Sequence, residues 1–157
     1  LHIFIIITTY LYFSFMSHEI QISTNKSLLQ LDIIHNVLKN SYWAKGIPIE
    51  TIKRSIENSI SFGVYIDGKQ IGFCRVITDK ATFAYLADVF IVEEHKGKGY
   101  SKLLMKYVLA YPELQGLRKF LLGTADAHGL YKQFGFKELA APERMMEITF
   151  KDIYLKQ

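Results

Sequence analysis

The chain has 157 residues, a formal net charge of +4, 50% hydrophobic residues and 22% charged residues. These values fit one globular domain and exclude a largely disordered chain. Because Cys74 is the single cysteine, an intrachain disulfide and a multi-cysteine zinc site are also excluded, and a reducing cytoplasm is the expected compartment.

The N-terminal run over 3–15 is almost entirely apolar and aromatic. It is shorter than the roughly 20 apolar residues of a membrane-spanning helix, and it lacks the charged start and the cleavage site of a signal peptide. We therefore interpret 1–15 as an upstream extension, which would add a strand or pack on a neighbouring chain if ordered. Residues 16–157 are interpreted as one domain.

Hydrophobic spacing predicts the first elements of this domain. In chain order they are a strand over 19–22, helices over 27–40 and from Pro48 onward, and strands over 62–66, 70–77 and 83–92. Asp67-Gly68 lies between alternating hydrophobic residues, which is typical of a tight β-hairpin.

The second half is predicted to contain a helix over 99–111, a strand over 120–123, a helix over 127–134 and strands over 136–139 and 145–150. Pro112 ends the first of these helices, and Asp126 can cap the second. The predicted fold class is α/β, an α+β mixed sheet in a single domain. The sheet is mostly antiparallel, with one right-handed parallel strand-helix-strand unit.

The positive charge of the chain is compatible with nucleic acid, an anionic membrane or a phosphorylated small molecule. Lysines and arginines are scattered, and the densest cluster is Lys96, Lys98 and Lys102, interleaved with Gly97 and Gly99. Glycines allow a ligand to approach the backbone, and the helix that follows offers free N–H groups to an anion. The sequence therefore predicts a local phosphate site, with neither nucleic acid nor membrane as a partner. A tight turn with solvated lysines is the alternative interpretation.

The hexapeptide Lys96-Gly97-Lys98-Gly99-Tyr100-Ser101 resembles the Gln/Arg-x-x-Gly-x-Gly/Ala signature of the GNAT superfamily of acyl-CoA-dependent N-acyltransferases. Lys96 replaces the usual Gln or Arg, and Ser101 replaces the usual Gly or Ala. Downstream, the segment from Leu130 to Phe136 resembles the family's Tyr-x-x-x-Gly-Phe element. The resemblance extends from about Ile71 to Phe136, and the order of the flanking elements agrees with it.

The resemblance implies the GNAT fold and acetyl transfer from acetyl-CoA to a primary amine, directly in a ternary complex, with no metal. The acceptor would be a small molecule or a peptide, and a homodimer is an option. A CoA-binding sensor with weak or no turnover is the alternative function. The implied CoA-binding residues are Phe90, Ile91, Val92, Lys96, Gly97, Lys98, Gly99, Tyr100, Ser101 and Lys102.

Catalytic roles follow from the same resemblance. The Val92 N–H would stabilise the oxyanion, and Tyr131 would donate a proton to the departing thiolate. Asp88 or Glu93 would accept the proton of the amine, directly or through water. Tyr42, Trp43 and Arg75 are candidates for the acceptor pocket, although core packing or simple exposure explains each of them equally well.

Overall fold

The computed structural model describes residues 19–156, so the predicted extension over 1–15 lies outside the described residues. Five strands form one sheet in the order of the chain. They are β1 (Ile20–Ser23), β2 (Ile60–Ile66), β3 (Lys69–Thr78), β4 (Phe83–Ile91) and β5 (Lys119–Leu122). The first four pair antiparallel, and β5 pairs parallel to β4. This confirms the predicted fold class.

Helices cover both faces of the sheet. They are α1 (Leu31–Asn40), α2 (Ile49–Glu57), α3 (Tyr100–Leu109) and α4 (His128–Lys132). Phe73 and Cys74 are adjacent on β3, and their side chains therefore point to opposite faces. Phe73 belongs to the core formed with α1 and α2, whereas Cys74 belongs to the core formed with α3. None of the helices within residues 19–156 has the length and hydrophobicity that a membrane-spanning helix requires.

The hairpin between β2 and β3 confirms the prediction from Asp67-Gly68. Asp67 has a φ of 49° and Gly68 a φ of 77°. Two successive positive φ angles are characteristic of the tight turns whose twist matches that of a hairpin. The local sequence thus places the turn that joins β2 to β3.

The two final predicted strands are wrong. Residues 136–139 and 145–150 are not part of any strand in the described chain. Met146 and Ile148 are 96% and 86% exposed. Apolar alternation favours a strand only where a neighbouring strand completes the hydrogen-bond ladder, and β5 pairs with β4 alone among the described strands.

Two of the predicted helices are also shorter than expected. The helix predicted over 27–40 divides into a 3₁₀ turn at Lys26–Leu28 and α1, and the helix predicted over 127–134 is reduced to the five residues of α4.

A bulge interrupts the pairing of β4 with β3 upstream of the glycine loop. Phe73 pairs with Phe90 but Arg75 pairs with Ala87, so Asp88 and Val89 together face Cys74. Asp88 has a φ of 55°, and such a bulge bends its strand. β5 accompanies β4 only from Phe83 to Leu86. The rest of β4 diverges from β5 and leaves a cleft between them.

Candidate active site

A cavity of about 730 Å³ lies beside the diverging end of β4 and the start of α3. Its lining includes most of the predicted CoA-binding residues, namely Phe90, Ile91, Lys96, Gly97, Gly99, Tyr100, Ser101 and Lys102. Val92 and Lys98 are the two predicted residues that do not border it. We refer to this space as the donor cavity.

The glycine loop gives the donor cavity a backbone wall. Gly97 and Gly99 have φ angles of 74° and 86°, and a Cβ atom added at either position would meet no atom within 4 Å. The first turn of a helix leaves N–H groups without intrahelical acceptors. In α3, Lys102 and Leu103 donate to the Gly99 carbonyl, which leaves the N–H groups of Tyr100 and Ser101 available at the positive end of the helix dipole.

The lysines of the loop differ in their availability. The Lys96 ammonium is 2.5 Å from Glu93 Oε2, and the Lys98 ammonium donates to the Glu94 carbonyl at 3.0 Å. Lys102 borders the cavity, and its ammonium forms no ion pair or hydrogen bond within residues 19–156. Lys102 is therefore the cation best placed for a phosphate group in the cavity.

The Val92 N–H is not available for an oxyanion, which corrects the predicted contact. It donates to the Ile71 carbonyl at 2.8 Å, and Val92 does not border either side of the cleft. In an antiparallel pair, successive residues direct their N–H groups alternately toward and away from the partner strand. The N–H of Ile91 therefore points away from β3 and into the cleft.

A second cavity of about 620 Å³ continues on the other side of the cleft. Tyr42, Trp43, Arg75 and Asp88 all line it, so the structure brings together the three residues predicted for the acceptor pocket. We call it the acceptor cavity. Six residues border both cavities, and the two spaces meet there: Tyr42, Trp43, Val89, Asp126, Ala127 and Tyr131.

Asp88 is held by two donors. The Arg75 Nε donates to Asp88 Oδ2 at 2.5 Å, and the Trp43 indole N–H donates to Oδ1 at 3.0 Å. The side chains of Arg75 and Asp88 are only 18% and 10% exposed. Both carboxylate oxygens are thus engaged in fixing Trp43 and Arg75 as walls of the acceptor cavity.

Tyr131 lies at the junction of the two cavities and is 8% exposed. Burial raises the pKa of its hydroxyl to about 12, with smaller contributions in the same direction from Cys74, Tyr42 and Asp126. The hydroxyl is therefore protonated at neutral pH and can donate a hydrogen bond to an anion that forms there. Its ring packs edge-on against Phe136, with centroids 6.0 Å apart.

The other predicted base, Glu93, borders neither cavity and pairs with Lys96. Sequence reasoning missed Asp126 as a site residue and expected it to cap the next helix. Instead, α4 has no side-chain cap, and Thr124 Oγ1 accepts the N–H of Ala127 at 3.0 Å. The Asp126 side chain borders both cavities, and an aspartate before a short helix gives no signal of that outcome.

Two further residues of the acceptor cavity, Tyr85 and Tyr154, were also missed. Tyr85 is on β4, and Tyr154 comes from a 3₁₀ turn at Ile153–Leu155. The second could not be found from the sequence because it reaches the cavity from the C-terminal segment, far from the other lining residues along the chain.

Cys74 is completely buried. Burial, with a smaller contribution from the Asp88 charge, raises the pKa of its thiol well above the ordinary value. Since the thiolate is the nucleophilic form, this cysteine is unsuited to carry an acyl group. Within residues 19–156, no group of three or more His, Cys, Asp or Glu side chains could hold a metal ion.

Comparison with known proteins identifies the family of this chain. A family model described as "Acetyltransferase (GNAT) family" matches residues 31–136. A Gibberella zeae protein named "Putative acetyltransferase FG08082" is 33% identical over 141 residues, which cover 74% of this chain and 78% of that protein.

Solved structures are similar over most of the chain. The crystal structure of a Xanthomonas campestris protein, titled a putative acetyltransferase belonging to the GNAT family, is 49% identical with a TM-score of 0.84. The match covers 87% of this chain and 96% of that one. A Clostridium acetobutylicum predicted acetyltransferase, solved with acetyl-CoA, is 12% identical with a TM-score of 0.58, over 85% and 96% of the two chains. The latter similarity concerns the fold alone.

Proposed function

Because the chain belongs to the GNAT family of acetyltransferases, we propose that it transfers an acetyl group from acetyl-CoA directly to a primary amine. The observation that carries this proposal is the meeting of two cavities at Tyr131. One cavity has a wall of glycine backbone and helix N–H groups, and the other has a polar and aromatic wall. A ternary complex needs such an arrangement, with a separate entrance for each reactant.

Acetyl-CoA would occupy the donor cavity. The pyrophosphate would accept hydrogen bonds from the N–H groups of Tyr100 and Ser101, and Lys102 would neutralise part of its charge. The pantetheine would run along the free edge of β4, with the Ile91 N–H as a backbone donor. The presence of acetyl-CoA in the Clostridium acetobutylicum structure supports this choice of cofactor.

The chemistry would proceed without a covalent enzyme intermediate. The ammonium form of the acceptor loses a proton, and its nitrogen attacks the thioester carbonyl carbon, so that a C–N bond forms and the C–S bond breaks. Tyr131 protonates the departing sulfur and regains a proton from the nitrogen of the tetrahedral intermediate. The buried, protonated Cys74 supports direct transfer over a route through an acyl-cysteine.

The first proton leaves the ammonium at the open cleft. Asp88 and Glu93 stay predictions for its acceptor. Against them stand the two hydrogen bonds that engage the Asp88 carboxylate and the absence of Glu93 from the lining of either cavity. We propose that water in the cleft takes this proton, since both cavities are open to solvent. The reaction then needs no dedicated carboxylate base.

Calorimetry with CoA, followed by a thiol-release assay with acetyl-CoA and a panel of amines, tests the proposal. We expect CoA to bind and at least one amine to be acetylated. Binding without transfer to any amine would favour a CoA sensor instead. Absence of binding by the folded protein would contradict both functions.

A further inference from the structure

The charges that line the acceptor cavity do not cancel. Arg75 and Asp88, whose side chains are 18% and 10% exposed, form an ion pair. Together they contribute no net charge. The remaining charged side chain in this lining is Asp126. The wall of the acceptor cavity therefore has a net negative charge of one, located at the junction with the donor cavity.

The Asp126 carboxylate is unengaged. It forms no hydrogen bond or ion pair within residues 19–156, and α4 has no side-chain cap. It also lies near enough to the Tyr131 hydroxyl to contribute to its raised pKa. A positive charge bound beside Asp126 would therefore lie next to the group that meets the thioester sulfur.

The remainder of the cavity wall is rich in aromatic rings. Tyr42, Trp43, Tyr85 and Tyr154 all line it. Tyr42 and Trp43 pack edge to face with centroids 4.9 Å apart, yet they are 62% and 44% exposed. Exposed ring faces attract cations and pack well against another ring.

Local contacts position three of these rings. The Tyr42 hydroxyl accepts the Ala125 N–H at 3.0 Å, and the Trp43 indole donates to Asp88. The Tyr85 hydroxyl lies 3.2 Å from where a Cβ at Gly123 would be, so the absence of a side chain there makes room for it. These three rings thus surround a space of about 620 Å³, a size suited to a small organic molecule.

On this basis we propose that the acceptor is a primary amine with an aromatic body and no carboxylate, an arylalkylamine, whose ammonium group binds Asp126. The inference rests on the acetyltransferase function proposed above and specifies its substrate class. A polyamine would leave its additional positive charges without counter-charges, since the wall offers one unpaired carboxylate. An amino acid would bring its carboxylate close to Asp126, while the charge of Arg75 is already balanced by Asp88.

Three acceptors of matched chemistry test the proposal: tyramine, tyrosine, which differs from it by the carboxylate, and spermidine. We expect kcat/KM for tyramine to exceed that for each of the other two by at least about tenfold, with thiol release as the readout. Equal or better use of tyrosine would show that Arg75 binds a carboxylate. Equal or better use of spermidine would show that cationic charge alone is selected. Either result overturns the proposal, and so does a lack of tyramine acetylation.

A binding measurement separates this inference from the proposed function. Trp43 is the single tryptophan of the chain, so its fluorescence reports ligands in the acceptor cavity without turnover. In the CoA complex, tyramine should change this emission at concentrations at least about tenfold lower than tyrosine. If CoA binds and another class of amine is acetylated, the proposed function holds while the inference fails.

The substitution Asp126→Asn tests the counter-charge. It should raise KM for tyramine about tenfold and leave KM for acetyl-CoA within about twofold, because one ion pair at a partly open site is lost. Asp32→Asn is the matched control, since Asp32 is an exposed carboxylate on α1 that borders neither cavity. An unchanged KM for tyramine in Asp126→Asn would contradict the assigned role.

Discussion

Replacing Tyr131 with phenylalanine removes one hydroxyl at the junction of the two cavities and keeps the ring that packs on Phe136. Because the Tyr131 pKa is raised to about 12, fewer than about one molecule in a hundred loses this proton below pH 10. The parent enzyme therefore has a proton to donate to the sulfur throughout the neutral range. Donation of this kind contributes roughly 10²–10⁴-fold to a rate, or about 3–5 kcal/mol of barrier.

We expect kcat of Tyr131→Phe to fall at least about 100-fold, with KM for acetyl-CoA within about threefold. Thiol release under saturating acetyl-CoA measures kcat. The parent enzyme should show no loss of activity from Tyr131 ionisation between pH 7 and 10. Tyr111→Phe is the control, since Tyr111 packs edge-on against Phe62 and borders neither cavity. A variant within about threefold of the parent, or a parent whose activity halves near pH 10, would refute the role.

Three further predictions concern the loop, the ion pair and the cysteine. Gly99→Ala should weaken CoA binding about tenfold in calorimetry. Gly116→Ala is its control, because Gly116 has a φ of 72° and an equally open Cβ position. Both substitutions should cost about 1–2 kcal/mol in backbone strain, but Gly116→Ala should leave the affinity for CoA unchanged. Arg75→Met should lower the free energy of unfolding by about 3 kcal/mol in urea titrations, because it leaves Asp88 unpaired. Adding Asp88→Asn to this variant should restore part of the lost free energy of unfolding. Absence of any recovery would contradict a stabilising ion pair between Arg75 and Asp88. Cys74→Ala should have a kcat within about threefold of the parent value and should show intersecting initial-velocity lines. Parallel lines in the parent enzyme would instead indicate a covalent intermediate.

The parts of the fold that the sequence predicts well are those governed by local chemistry. Asp67-Gly68 adopts the two positive φ angles that its residue types favour, and the glycine loop precedes a helix as its spacing indicates. Residues 145–150 have an equally clear alternating pattern, yet they form no strand within the described chain. A strand depends on a neighbour, and the identity of that neighbour is not encoded in the segment itself.

In the candidate site, too, the features set by short local motifs were predicted and those set by neighbouring segments were not. Tyr131 and the glycines are found from short motifs, and the structure brings both to the donor cavity. Asp126 was missed because an aspartate before a helix is usually its cap, whereas α4 has no side-chain cap and Asp126 borders both cavities. Likewise, the direction of the Val92 N–H depends on the pairing of β4 with β3, which a linear pattern of side chains does not reveal.

The segment between α1 and α2 touches both sides of the cleft through two adjacent aromatic residues. Tyr42 holds the backbone that follows β5, and Trp43 holds the bulge of β4. A displacement of this segment would alter both cavities together, and any resulting change in the affinity for one reactant would be matched by the same factor for the other. Substitutions at this bridge are therefore expected to change the binding of both reactants.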